Sequence, residues 1–182
     1  SVWGDNIVYV ESESDFGTPT DGRHMLGTGN TYVLNNDITL DDNCLYIDQG
    51  KTVIINLNGH SLTRSSSSSS AAYKSVFWNY KGTLTIMDSH GGGVIHNENS
   101  PTKGGGIYNI GTLYFKGGTI LNCSASYGGG IFNDATSATQ YGTLYLEGGT
   151  ITGNTANNLG GGIDNCGHMY IKGSPTVTNN TR

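Results

Sequence analysis

Apolar side chains recur along this chain with a period of two. Leu84 and Ile86, Leu113 and Phe115, Leu144 and Leu146, and Met169 and Ile171 each alternate with polar or aromatic neighbours. That alternation marks strands with one buried face. No stretch longer than about ten residues keeps apolar positions at three- and four-residue spacing, so helices are expected to be nearly absent. In the first third, Tyr32-Val33-Leu34, Ile38-Thr39-Leu40, Leu45-Tyr46-Ile47 and Val53-Ile54-Ile55-Asn56-Leu57 are short β-rich runs divided by Asn, Asp and Gly.

The runs belong to a repeat. Gly104 to Asn109 reads GGGIYN, Gly128 to Asn133 reads GGGIFN and Gly160 to Asn165 reads GGGIDN. A second element follows each: GTLYFKGG from Gly111, GTLYLEGG from Gly142 and GHMYIKGS from Gly167. Phe77-Trp78-Asn79 and GTLTIMDS from Gly82 form an earlier copy. A third element, Gly118-Thr119-Ile120, Gly149-Thr150-Ile151 and Thr176-Val177, leads to Asn122, Asn154 and Asn179. The second elements begin at 82, 111, 142 and 167, in steps of 29, 31 and 25 residues. The insertion Asp134 to Tyr141 is expected to protrude as a loop.

Three short strands per repeat predict an all-β right-handed parallel β-helix, a solenoid whose coils stack at roughly 4.8 Å and share one continuous core. Residues 1–30 are expected to fold as an N-terminal cap over the open end. Residues 31–182 then form the β-helix, with irregular first coils over 31–75 and repeat coils over 76–182. Asn79, Asn109, Asn133 and Asn165 recur at one turn, where their amides are expected to bond from copy to copy as a structural ladder. The triple glycines read as turn glycines, since no helix follows them to make a phosphate cradle. Arg64 to Ala72 reads as a serine-rich loop between coils.

Composition narrows the function classes. The 182 residues include 29 glycines and 3 prolines, and 13% are charged. A formal charge of −5 lacks the clustered Lys and Arg that a nucleic-acid or anionic-membrane surface needs. No apolar run reaches the roughly 18 residues of a membrane span, so no membrane insertion by this segment is expected. Cys44, Cys123 and Cys166 form no CxxC pair and read as small stacking residues. No cofactor and no metal site are expected. Calcium-binding rolls need an Asp after Gly-x-Gly in every turn, and only Asp164 stands near such a place.

The GG-aliphatic-x-Asn segments over 76–182 resemble the repeats of polymorphic outer-membrane proteins and related β-helical adhesins. Ile54 to Thr63, IINLNGHSLT, is similar to the opening coil of many secreted β-helix proteins, carbohydrate-active enzymes among them. The resemblance implies a secreted or cell-surface, adhesin-like scaffold, taken here as a segment of a longer chain. Its expected partner is a glycan or a host or cell-surface protein.

Two outward columns are the candidate binding residues: Trp78, Tyr108 and Phe132 on the first strand, and Tyr114, Tyr145 and Tyr170 on the second. Exposed aromatic rows suit the apolar faces of sugar rings, and they also stabilise a stack by cross-strand packing. Lys116, Glu147 and Lys172 form an alternating charge column that sets register. No catalytic residues are assigned. The runner-up reading is a polysaccharide lyase or glycoside hydrolase, for which Asp88, His90, His96 and Glu98 form the densest polar cluster. Thr83/Thr85, Thr150/Thr152 and Thr176/Thr178 are expected on different strands, without a flat Thr array.

Overall fold

The computed structural model describes residues 6–65 and 74–182. The chain opens with β1 (Asn6–Val10), a 3-10 turn at Glu13–Phe16, β2 (Arg23–Met25), β3 (Asn30–Leu34) and β4 (Ile38–Asp41). It continues through β5 (Cys44–Ile47), β6 (Thr52–Asn56), β7 (Ser61–Ser65), β8 (Phe77–Asn79), β9 (Thr83–Met87) and β10 (Val94–Asn97). The recognisable repeats supply β11 (Ile107–Asn109), β12 (Thr112–Phe115), β13 (Thr119–Leu121), β14 (Ser124–Tyr127), β15 (Ile131–Asn133) and β16 (Thr143–Leu146). The last strands are β17 (Thr150–Thr152), β18 (Thr155–Leu159), β19 (Ile163–Asn165), β20 (His168–Ile171) and β21 (Thr176–Thr178).

Strands three apart in the chain, two apart at β1 and β3 and four apart in the last coils, pair in parallel, giving three sheets that wrap one core as a right-handed parallel β-helix. Sheet 1 runs β2-β5-β8-β11-β15-β19, sheet 2 runs β1-β3-β6-β9-β12-β16-β20, and sheet 3 runs β4-β7-β10-β13-β17-β21. A two-stranded sheet of β14 and β18 adds a fourth segment to the last coils, between the third and first strands. Like residues fall in register: Leu84, Leu113, Leu144 and Met169 align on sheet 2, and Ile95, Ile120, Ile151 and Val177 on sheet 3. Sheet 1 contributes Leu45, Phe77, Ile107 and Ile131, all fully buried. One coil alone cannot hide these faces, so burial is cooperative along the axis.

The two ends differ. Residues 6–30, expected as a cap, supply β1 and β2, which pair in register with β3 and β5, while the turn at Glu13–Phe16 packs against β1 and β4. That turn drops Phe16, 3% exposed, onto the end of the core, 5.5 Å from the Tyr32 ring centroid. At the other end Ile171 and Val177 are 63% and 48% exposed. With Ile163 and Met169 they line an open concavity.

The triple glycines serve two separate needs. Gly104, Gly128 and Gly160 all take φ between 62° and 65°, the left-handed region that L side chains seldom adopt. Gly105 has ordinary φ, but a Cβ there would strike the Gly129 carbonyl oxygen of the next coil. The loop expected at Asp134–Tyr141 does protrude over 135–139, closed by an antiparallel bridge between Ala135 and Tyr141. Asp134 itself is buried. One expectation is corrected at the serine run: Arg64 and Ser65 belong to β7, and Arg64 is fully buried at an inward position. Residues 66–72 of that run lie outside the described residues.

Candidate functional site

The Asn ladder forms as a chain of amide hydrogen bonds. Asn79 Nδ2 donates to Asn109 Oδ1 at 2.8 Å, Asn109 Nδ2 to Asn133 Oδ1 at 2.8 Å, and Asn133 Nδ2 to Asn165 Oδ1 at 2.7 Å. The same Nδ2 groups donate to the carbonyls of Gly82, Gly111 and Gly142, which follow each Asn at the turn into sheet 2. Asn79, Asn109 and Asn133 are fully buried. They are structural, and they hold the first strand of each coil at fixed height beside the aromatic column.

That column extends one residue further than the sequence shows. Tyr46 pairs with Trp78, so sheet 1 carries Tyr46, Trp78, Tyr108 and Phe132 in register, ending at Asp164. Ring centroids lie 5.3, 5.7 and 5.9 Å apart along it. Arg23 sits over the Tyr46 ring at 4.9 Å. Burial, then the Asp48 charge, pushes the Tyr46 phenol up to about 12. On sheet 2, Tyr114, Tyr145 and Tyr170 stack almost parallel, 4.6 and 5.2 Å apart at 7° and 19°. Rings stacked this way cover one another's faces and turn their edges outward, so both faces of Tyr145 are covered, while terminal Tyr170 is 52% exposed.

Beside Trp78 and Tyr108 the surface is concave. A cleft of about 330 Å³ is lined by Lys74, Ser75, Trp78, Tyr108 and the segment Ser100–Lys103. The far wall is fixed to the coil at its Lys103 end. Ser75 Oγ donates to the carbonyls of Lys103 and Gly104, and Lys103 Nζ reaches Asp134 Oδ2 at 2.9 Å. Tyr108 Oη donates to the same carboxylate oxygen at 2.7 Å. Burial raises the Asp134 carboxyl, but the bonds from Lys103 and Tyr108 outweigh it and hold it below the usual range. Burial, then Asp134's bond and charge, raises the Tyr108 phenol well above its ordinary value. One coil on, Asp164 is pushed the opposite way from Asp134, first by burial and then by the Asp134 charge.

The polar cluster expected near residues 88–98 does not assemble. Asp88 is occupied as a turn organiser, accepting the N–H groups of Gly59, Gly91 and Gly93. His90 contacts the Gly91 carbonyl, His96 meets the Leu121 carbonyl at 3.0 Å, and Glu98 is engaged through its backbone N–H. Among the described residues no three His, Cys, Asp or Glu side chains group to hold a metal. Of the charge column, Lys116 and Glu147 approach to 3.7 Å. All three cysteines are free. Cys44 and Cys123 are buried, with thiols pushed up to about 12 by desolvation. Cys166 is exposed, and burial together with Asp164 and Asp134 raises its thiol too, which disfavours a nucleophilic thiolate.

The threonine pairs lie on three different strands, Thr83/Thr85 on β9, Thr150/Thr152 on β17 and Thr176/Thr178 on β21. Thr150 and Thr152 pair in register with Thr176 and Thr178 on neighbouring strands of sheet 3, and Thr119 pairs with Thr150. Upstream, His96 and Leu121 replace threonine in one of these columns, so the array is interrupted.

No family model, curated protein or solved structure matches this chain. The likeness to adhesin repeats therefore rests on the GGGI-x-N residues themselves.

Sequence reasoning missed Tyr46, Lys103 and Asp134. Tyr46 was within reach, because it sits in an apolar run one coil before Trp78. Lys103 and Asp134 are brought together only by stacking, being 31 residues apart in sequence.

Proposed function

We propose that this chain is a non-catalytic β-helix module of a secreted or cell-surface protein, and that it binds a glycan in the cleft beside Trp78 and Tyr108. The observation that carries this reading is the cleft itself, an aromatic floor walled by the hydroxyl-bearing segment Ser100–Lys103. Aromatic faces and edges meet the C–H side of a sugar, while hydroxyl and ammonium groups meet its oxygens. Among the described residues that line it, two are lysines, of which Lys103 is paired with Asp134. The sheet 2 tyrosines serve the stack more than the ligand, since their faces are spent on one another.

A glycan array with a polysaccharide pull-down, assayed for product release in the same samples, tests this. Binding without release is expected, and Trp78→Ala is expected to weaken it by about tenfold or more, a loss of about 1.4 kcal/mol. Tyr145→Ala is expected to leave binding unchanged and to lower stability modestly, by about 0.5–1.5 kcal/mol. Binding lost with Tyr145→Ala but kept with Trp78→Ala would move the site to sheet 2.

The second reading, a carbohydrate-active enzyme, draws support from Asp134 and Asp164, whose surroundings push their carboxyl groups in opposite directions. Such divergence is how acid and base roles are separated. Released sugars that disappear with Asp164→Asn would establish it.

A further inference from the structure

Sheet 1 lines up four aromatic rings but leaves only the middle two open. Tyr46 and Phe132, at the ends of the column, are each 5% exposed, while Trp78 and Tyr108 between them are half-buried. Each end ring has a cation over it. The Arg23 guanidinium, from β2, lies 4.9 Å from the Tyr46 centroid, and Lys103 Nζ lies 5.3 Å from that of Phe132. Lys103 is pinned there by its 2.9 Å bond to Asp134, the residue that follows β15. A cation over a ring is held by the negative charge of the ring face, so it competes with a sugar for that face.

The cleft keeps to the same limits. Lys74, Ser75 and Trp78 belong to one coil, and Ser100–Lys103 with Tyr108 belong to the next. Among the described residues its lining draws on no other coil. The wall is itself part of the stack, because the Pro101 and Thr102 carbonyls accept the N–H groups of Ser126 and Tyr127 at 3.1 and 2.9 Å. On the side of the turn into sheet 2, Tyr80 stands edge-on to Trp78, with centroids 6.1 Å apart at 79°.

Resting on the glycan reading above, we infer that the cleft takes only the terminal one or two residues of a glycan, a chain end or a short branch. Arg23 and Lys103 are the stops that keep a longer chain from running along the axis. Two coils supply roughly 10 Å of floor at the spacing of parallel strands. A six-membered sugar ring matches the span of one aromatic ring, so two open rings accommodate two sugars. The cleft volume of about 330 Å³ agrees, lying at the small end of ligand pockets, which begin at roughly 300 Å³. A polysaccharide threaded along the column would have to lift the guanidinium from Tyr46 or break the Lys103–Asp134 pair.

Calorimetric titration of the whole chain decides this, with mono- to hexasaccharide ladders of the cello-, chito- and galacturono-series and of any glycan that the array retains. In a ladder that binds, affinity is expected to rise about tenfold from mono- to disaccharide and then to stay within about threefold up to the hexasaccharide. Arg23→Ala uncovers Tyr46 and is expected to make the trisaccharide about threefold tighter than the disaccharide. Affinity that keeps climbing past the disaccharide in the native chain overturns the short cleft and leaves the glycan reading standing. A folded Arg23→Ala that still gains nothing from a third sugar overturns the stop assigned to Arg23. If that variant does not fold, the native length dependence decides alone. Silence in every ladder and on the array overturns the glycan reading and this inference with it.

Discussion

Asn109→Ala is expected to destabilise the stack by about 3–5 kcal/mol, because one fully buried amide is shared by five partners. Asn109 Oδ1 accepts from Asn79 Nδ2 and from the Gly111 N–H, and its Nδ2 donates to Asn133 Oδ1 and the carbonyls of Gly111 and Thr143. Removing the amide strands several of these groups where water does not reach, at about 1–3 kcal/mol for each one left unsatisfied. Asn109→Asp should cost more than Ala. A carboxylate keeps the acceptor for Asn79 but sets an oxygen against Asn133 Oδ1, and it buries a charge.

The contrast within the column makes the test sharp. Asn165 is exposed; its Nδ2 donates to Gly167 O, and its Oδ1 accepts from Asn133 Nδ2, which keeps the Gly142 and His168 carbonyls when the amide is removed, so Asn165→Ala should cost only about 1 kcal/mol. Chemical denaturation followed by tryptophan fluorescence gives the ranking. Equal losses at Asn109 and Asn165 would mean that the residues matter singly as turn formers and that their stacking contributes nothing.

This ladder was legible in the sequence because stacking turns a repeat into a register. Once GGGI-x-N is aligned with itself, Asn must sit over Asn, and the alternation in the following strand says which face is inward. The same logic reached the aromatic columns and the protruding loop. It failed where a coil departs from its neighbours. Arg64 follows Leu62 at an inward position, but the serines after it mask the period. The fourth segment at β14 and β18 has no apolar alternation to announce it, since Ala125 and Ala156 are its only core-facing residues. Lys103 and Asp134 meet across coils of unequal length, so no fixed spacing marks them.

Arg64 is the position where the charge, not the shape, should decide the outcome. Its side chain is fully buried between Leu40 and Asn97 in the inward column of sheet 3. Nη2 donates to the Asp42 carbonyl at 3.1 Å and lies 3.9 Å from Asp42 Oδ1, while Nε and Nη1 have no hydrogen-bond partner among the described residues. Desolvation pulls the guanidinium below its ordinary value, with Asp42 opposing. A buried cation so incompletely partnered returns little of its desolvation cost. Arg64→Met, which keeps the apolar stem and removes the charge, is therefore expected to be near neutral, since the Asp42 carboxylate it leaves behind is 19% exposed and still reaches water. Asp42→Asn is expected to act in the opposite direction and cost about 3–5 kcal/mol, since it leaves the cation buried without its carboxylate. Asp42 has φ 59°, a conformation Asn accepts readily, so that variant reports charge and not backbone strain. Combining the two should recover most of the Asp42→Asn loss. If Arg64→Met instead loses more than about 3 kcal/mol, the guanidinium has a partner strong enough to outweigh its desolvation. Arg64 would then be a keystone of the early coils rather than a burden on them.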